Sequence, residues 1–261
     1  MKTLHFRYDL KIEFSEPVTN HSFTVKCVPD TDERQHILRQ DIKILPKEFL
    51  STNRDSFGNF YFFGKTVAEH ELFHVEEEGV VETGWSDSVP ANDSPGQGLC
   101  LVQTSCTEPG PYLKEFFAGL NLPPDADNRE KSLWIMDKVY RSFSYQSGVT
   151  TVGTTAEDAF SQGSGVCQDY AHIMISLCRM AKIPSRYAAG MLLGEGASHA
   201  WVEIACRNKW YGLDPTNHVP VAEDHIKISH GRDYKDCLIN QGVFTGNARQ
   251  KQSISVQVTE I

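Results

Sequence analysis

What the 261-residue sequence lacks narrows its class first. No run of apolar residues approaches the ~20 needed to cross a bilayer as a helix. There is no excess of basic charge: 25 Lys and Arg stand against 34 Asp and Glu, a net charge of −9. That balance argues against binding to nucleic acid or to an anionic membrane surface. No CxxC pair occurs among the seven cysteines, so neither a zinc knuckle nor a redox dithiol is expected. An odd, scattered set fits free thiols rather than a disulfide framework. Internal repeats and low-complexity tracts are missing too. The stretch MKTLHFRYDLKIEFSE is polar at every second or third place and lacks an apolar signal core, so the expected compartment is the cytoplasm.

What is present divides into two styles. Residues 1–85 read mostly as strands: LHFRYDLKIEF alternates in part, SFTVKCV is short and β-rich, and NFYFFGKTV is aromatic and bounded by turn residues. Around 86–110 the chain turns rich in Ser, Pro, Gly and Asp (SDSVPANDSPGQG), the composition of a loop or linker. Helical patterns follow, in YLKEFFAGL and from Asn128 to Ser144, where Leu133, Met136, Val139 and Tyr140 recur at helical spacing. Then come GVCQDYAHIMISLCRMAKIP, the β-like runs RYAAGMLL, HAWVEIAC and KWYGLD, and a final alternating SISVQVTEI. The expected organisation is a β-rich domain over 1–100 and an α+β domain over 101–261.

The segment after Ser164 predicts a helix, with Ser164 as candidate N-cap. At 100° per residue, Asp169, His172, Ser176 and Arg179 form one polar stripe, expected to face solvent. Cys167, Ala171, Met174, Cys178 and Ala181 lie opposite, toward the protein body. Cys167 stands in the first turn, where unpaired N–H groups and the helix dipole favour a thiolate. Gly163 and Gly165 leave room for a close backbone approach. Cys178, mid-helix, reads as core.

Downstream, HAWVEIAC and KWYGLD are joined by Arg207-Asn208, a two-residue hairpin turn. The turn predicts the pairs Cys206–Lys209, Ile204–Tyr211 and Trp201–Asp214. His199, Trp201, Glu203 and Asp214 then share a face, and His199 and Asp214 become diagonal neighbours about 7–8 Å apart at the backbone, within reach of a His–carboxylate hydrogen bond. A thiolate at a helix start, a His and an acid orienting that His are the parts of a thiol acyl-transfer site. In this arrangement Nδ1–H of His199 is expected to point at Asp214, leaving Nε2 to take the thiol proton, with the Cys167 backbone N–H as oxyanion donor. Trp201 and Trp210 read as core, and His218 and His225 as loop residues at the cleft or in solvent.

The blocks GSGVCQDYAH, MAKIPSRYAAG, SHAWVEI and KWYGLDPTN, in this order, resemble the transglutaminase-like superfamily in its microbial branch. The resemblance covers about 130–220, and the β-rich N-terminal part is similar to the accessory region that accompanies this branch. It implies an α+β, papain-like core in which a Cys-bearing helix packs on an antiparallel sheet. It also implies a triad of Cys167, His199 and Asp214, with Gln162 and Tyr145 as alternative oxyanion partners. The implied reaction passes through a Cys167 thioester on a protein, peptide or amide substrate, with hydrolysis expected ahead of Gln–Lys cross-linking. No cofactor is implied, and a catalytically idle binding module is the alternative.

One motif competes. His70-Glu71-Leu72-Phe73-His74 matches HExxH, the zinc-peptidase signature, which needs a helix to bring both His onto one face. The neighbouring Gly64 and Gly79-Val80-Val81 instead suggest strand and turn. On a strand the two His stand about 13 Å apart, too far to share a metal, so no metal is expected there. Glu76, Glu77 and Glu78 read as a solvated face.

Overall fold

The computed structural model describes residues 1–91 and 97–261, so residues 92–96 of the expected linker lie outside the described part. The chain opens with β1 (Lys2–Val25), whose alternate residues Leu4, Phe6, Tyr8, Leu10, Ile12 and Phe14 are all buried, the period-2 pattern of a strand with one face on a core. Near Pro17 the register shifts and β1 passes from one set of neighbours to another. β2 (Gln35–Leu45), β3 (Phe49–Arg54), β4 (Phe60–Thr66) and β5 (His70–Thr83) complete the N-terminal strands. The first half of β1 pairs with β5, and β5 with β2; the second half pairs with β4, and β4 with β3.

Part of the expected linker is ordered structure. β6 (Ser88–Pro90) adds an edge strand to a second sheet, and Leu99–Leu101 forms a 3-10 turn. The helices follow: α1 (Pro111–Ala118) and α2 (Asn128–Ser142). At the start of α2, Asp127 accepts the Glu130 N–H at 3.0 Å while Glu130 accepts the Asp127 N–H at 2.9 Å, a reciprocal capping box. β7 (Ser144–Tyr145) runs parallel to β8 (Ser164–Gly165). Between them lies α3 (Ala156–Gln162), a short helix with no clear sequence signal, capped by Thr155 and ended by Gly163 at φ +81°.

After α4 (Cys167–Met180) come β9 (Ser185–Leu192), β10 (Gly194–Gly196), β11 (His199–Cys206), β12 (Lys209–Asp214), β13 (Val219–Pro220) and β14 (His225–Gly231). Strands β13-β12-β11-β9-β14 form an antiparallel sheet, with β6 beside β12. Its Ala200, Val202, Ile204 and Cys206 face α4, burying Ala171, Met174 and Cys178 in a common core. The fold is therefore α+β, a Cys-bearing helix on an antiparallel sheet joined to a β-rich N-terminal region. The last strands, β15 (Asn240–Thr245) and β16 (Gln250–Glu260), return to the N-terminal sheet and pair with β1. Alternation marks β16 as a strand, but its partner, β1, lies near the other end of the sequence. Glu203 of β11, fully buried, ties the two regions together, accepting hydrogen bonds from Arg34 of the N-terminal region, Arg186 Nε at 2.7 Å and Lys227 Nζ at 3.1 Å.

Two surface expectations are corrected. The stripe Asp169, His172, Ser176 and Arg179 is buried, because segments on either side of α4 in sequence close over it. Arg179 donates to the carbonyls of Cys100, Ser185 and Arg232 and to the Thr107 hydroxyl; Gln103 donates to the Ser176 carbonyl; and His172 Nε2 accepts the Tyr234 N–H at 3.1 Å. The burial pushes His172 down to about 4, a neutral imidazole. In the second case, Glu77 of β5 points inward and is fully buried while Glu76 and Glu78 point out. Burial pushes its carboxyl up to about 8, despite a hydrogen bond from Gln40. Strand alternation, not composition, decides which member of the acidic run is covered.

Candidate active site

The hairpin forms with the expected register: Cys206 pairs with Lys209, Ile204 with Tyr211 and Val202 with Leu213, and the turn residues Arg207 and Asn208 both have positive φ. One step beyond Val202–Leu213, Asp214 ends β12. Its carboxylate is fully buried and held from two directions. Oδ1 accepts the backbone N–H groups of Thr216 at 3.0 Å and Asn217 at 3.2 Å, so Asp214 organises the turn that follows it. Oδ2 accepts from His199 Nε2 at 2.8 Å, Asn217 Nδ2 at 2.7 Å and His225 Nε2 at 3.2 Å.

The ring of His199 thus sits the other way round from the expected tautomer geometry. The far nitrogen, Nε2, spans the diagonal between strands to Asp214. With Nε2 committed to Asp214, Nδ1, the nitrogen nearer the backbone, is the one left for Cys167, which lies near enough to raise the ring's basicity. Burial alone would lower the basicity of this imidazole. The hydrogen bond to Asp214, the charge of that carboxylate and the proximity of Cys167 overcome that and raise it to about 10. Asp214 moves oppositely: burial disfavours its charge, but donation from His199, His225 and Asn217 holds the carboxyl well below its usual range.

Cys167 is half-buried, whereas the other six cysteines are buried. It is the first residue of α4. The N-cap is Val166, not Ser164, and the capping group comes from inside the helix: the Asp169 carboxylate turns back to accept the Val166 N–H at 2.8 Å and the Thr150 hydroxyl at 2.7 Å. Gly165 makes this possible, since a Cβ there would stand 2.3 Å from Asp169 Oδ2. Its missing side chain therefore serves the cap. At N1, the Cys167 backbone N–H has no carbonyl a turn earlier to bond and finds no other partner among the described residues, so it is available as an oxyanion donor.

Of the two oxyanion alternatives, Gln162 directs its amide at the Ser164 carbonyl at 3.1 Å and the Val149 carbonyl at 3.4 Å. Tyr145, exposed, pairs with Gly165 through the β7–β8 ladder and lies close enough that the charge of Cys167, with burial as the larger cause, raises its phenol. His218 stacks on Tyr140 with ring centres 4.7 Å apart and stands 3.4 Å from Asp137, away from the Asp214 carboxylate. His225, read from sequence as a loop residue, opens β14 and is buried against Asp214. It had no motif to mark it. Trp201 and Trp210 are buried, as expected of core residues.

Among the described residues, one group of metal-ligating side chains converges, His199, Asp214 and His225, with ligand atoms within 4.8 Å of one another. There each imidazole directs a proton at the same carboxylate oxygen. The HExxH residues do not converge: β5 is a strand, His70 Nε2 meets His21 Nδ1 at 3.2 Å, and His74 Nε2 meets Asp9 at 3.0 Å.

The profile of the transglutaminase-like superfamily matches residues 120–215, and that of the bacterial transglutaminase-like N-terminal region matches residues 4–82. An uncharacterised protein of Mycobacterium leprae is 36% identical over 269 residues, covering 95% of this chain and 95% of its own length. One from Mycobacterium tuberculosis is 26% identical over 280 residues, covering 94% and 88%. The crystal structure of a candidate cysteine protease from Cytophaga hutchinsonii shares the fold, with a TM-score of 0.81 at 24% identity over 100% of this chain and 91% of that one.

Proposed function

The chain belongs to the transglutaminase-like superfamily, and from that premise we propose that it is a cysteine-dependent acyl-transfer enzyme acting on amide or peptide substrates, with hydrolysis as its main outcome. One observation carries the reading: a single imidazole, His199, is hydrogen-bonded through Nε2 to the buried Asp214 carboxylate and has the half-buried Cys167 near enough to raise its basicity. In the proposed cycle the thiol proton passes to His199 Nδ1 and the thiolate attacks the substrate carbonyl. The developing oxyanion meets the Cys167 N–H, with the Tyr145 hydroxyl as second donor. The C–N bond breaks as the imidazolium returns its proton to the leaving amine, and a Cys167 thioester remains. Water then loses a proton to His199 and adds to the thioester carbonyl; the C–S bond breaks, the acid leaves, and the Cys167 thiolate remains beside the His199 imidazolium, which can return its proton to it. Asp214 stays ionised throughout, orients the ring and stabilises the imidazolium.

Water is taken as the favoured acceptor over an amine because residues near Cys167 are open to solvent: Tyr145, close enough to Cys167 to feel its charge, is 61% exposed, and Val152, whose carbonyl accepts from Gln168, is 64% exposed. Water exclusion is what lets an amine win at a thioester, and exposed neighbours such as these support water as the acceptor. The test uses p-nitrophenyl acetate as acyl donor, with and without dansylcadaverine as amine. The expected result is a burst of p-nitrophenolate that vanishes in Cys167→Ala, with acetate the main product even when the amine is present. A burst that survives in Cys167→Ala contradicts the proposed nucleophile. Acetylated amine as main product contradicts the preference for water.

A further inference from the structure

We propose that His225 is a positioning residue of this site: it donates a hydrogen bond to Asp214 Oδ2 that, together with Asn217, locks the carboxylate in the orientation His199 requires. The proposal rests on the acyl-transfer reading above and adds to it a fourth side chain on a different strand.

Three observations support it. Asp214 is ionised and buried, so every nitrogen on Oδ2 must donate; His225 at 3.2 Å therefore donates through Nε2–H, as does His199 at 2.8 Å. Among the described residues Asp214 is the only hydrogen-bond partner of the His225 ring, because its Nδ1 has none. A buried imidazole with one polar contact, and that contact the acid of a candidate triad, is not explained by packing. The third observation is mechanical. Asp214 sits at the end of β12, where the sheet ladder stops and the chain turns. His225 belongs to β14, on the far edge of the same sheet, and is held there by pairing with Leu192 and by the edge of the Trp201 ring, 5.4 Å away at 80°. A carboxylate at a turn is thereby tied to a rigid strand that does not belong to the hairpin. The groups facing the His199 ring are then Cys167 from α4, Asp214 from β12 and His225 from β14, whose ring centre is 6.1 Å away.

The test compares three substitutions that differ in reach. A Gln amide nitrogen occupies nearly the place of a histidine Nε2, an Asn amide that of Nδ1, and Phe keeps the volume without a donor. His225→Gln is expected to keep most of the rate of acylation by p-nitrophenyl acetate. His225→Asn and His225→Phe are expected to lose at least about tenfold in that rate, the low end for one hydrogen bond to a charged group, with the substrate concentration for half-maximal rate unchanged. Ring 15N NMR on the same proteins should show the His199 titration midpoint lowered in His225→Asn and His225→Phe and retained in His225→Gln. Thermal melts accompany each.

If the three variants share one rate and one His199 midpoint, whether all wild-type or all reduced, His225 only fills space and the proposal is overturned. Failure of the underlying reading is recognised separately, as a wild-type burst that does not depend on Cys167. Even then the NMR comparison of His225→Gln with His225→Asn decides whether His225 orients Asp214.

Discussion

Replacing Asp214 by Asn changes one atom, and the hydrogen bonds around it dictate which. The Thr216 and Asn217 backbone N–H groups, at 3.0 and 3.2 Å, hold an oxygen at the Oδ1 position. The amide NH2 must then occupy the place of Oδ2, where it meets three donors: His199 Nε2–H, His225 Nε2–H and the Asn217 amide. His199 relieves the clash only by moving its proton to Nδ1, the nitrogen proposed above to take the thiol proton, and so loses that ability. In a serine-protease triad the corresponding change costs about 10⁴ in rate. A thiol ionises more readily than a hydroxyl, so the expected loss in acylation rate here is about 10–10³-fold. Stability should fall as well, by about 3 kcal/mol, the low end for removing one partner of a buried ion pair, because the two backbone hydrogen bonds remain. The assays are the p-nitrophenyl acetate burst, a thermal melt and ring 15N NMR of the tautomer. A folded Asp214→Asn protein that acylates at the wild-type rate, with His199 still protonated at Nε2, refutes the reasoning.

Three further predictions can be checked independently. The stability difference between wild type and Asp214→Asn should depend on pH with a definite sign. His199 is raised from 6.5 to about 10, so its contribution is complete below pH 6.5 and lost as pH rises through 10; Asp214 is depressed from 3.8, so its contribution is complete above pH 3.8 and lost on acidification below it. Denaturant melts from pH 3 to 11 should show the gap widest between about pH 4 and 6.5, and a flat gap contradicts the pairing. In iodoacetamide competition read by mass spectrometry, Cys167 should label first of the seven, since the other six are buried and burial pushes Cys178 up to about 12; faster labelling of Cys178 or Cys206 in the folded protein contradicts the placement. Protein purified without chelator should carry no stoichiometric zinc at His70 and His74, and Glu71→Gln should keep wild-type activity, whereas one zinc per chain that disappears in His74→Ala overturns this.

Legibility in the sequence followed the range of the interactions. The β11–β12 hairpin and the His199–Asp214 contact were readable because a two-residue turn fixes register over a few residues. HExxH could be set aside because glycine and β-branched neighbours pointed to a strand, and β5 is one. The reading failed where distant segments decide. The polar stripe on α4 looks solvated by helical geometry, yet residues 100–107 and 232–234 cover it and satisfy its polar groups. The ring orientation of His199 depends on which nitrogen reaches across a strand diagonal, which periodicity does not encode. His225 belongs to no motif, and only the placement of β14 at the far edge of the sheet brings it to Asp214. The pairing of β16 with β1 joins the two ends of the chain, a contact that no local signal announces.

The central claim, that Cys167 forms the acyl-enzyme, is tested most directly by quenching the p-nitrophenyl acetate reaction in acid within the burst and mapping the modified residue by mass spectrometry. The account predicts one acetyl group on Cys167 in the wild type and none in His199→Ala on the same timescale. An unmodified Cys167 during the burst, or an acetyl group carried by another residue at the wild-type rate in Cys167→Ala, would contradict it.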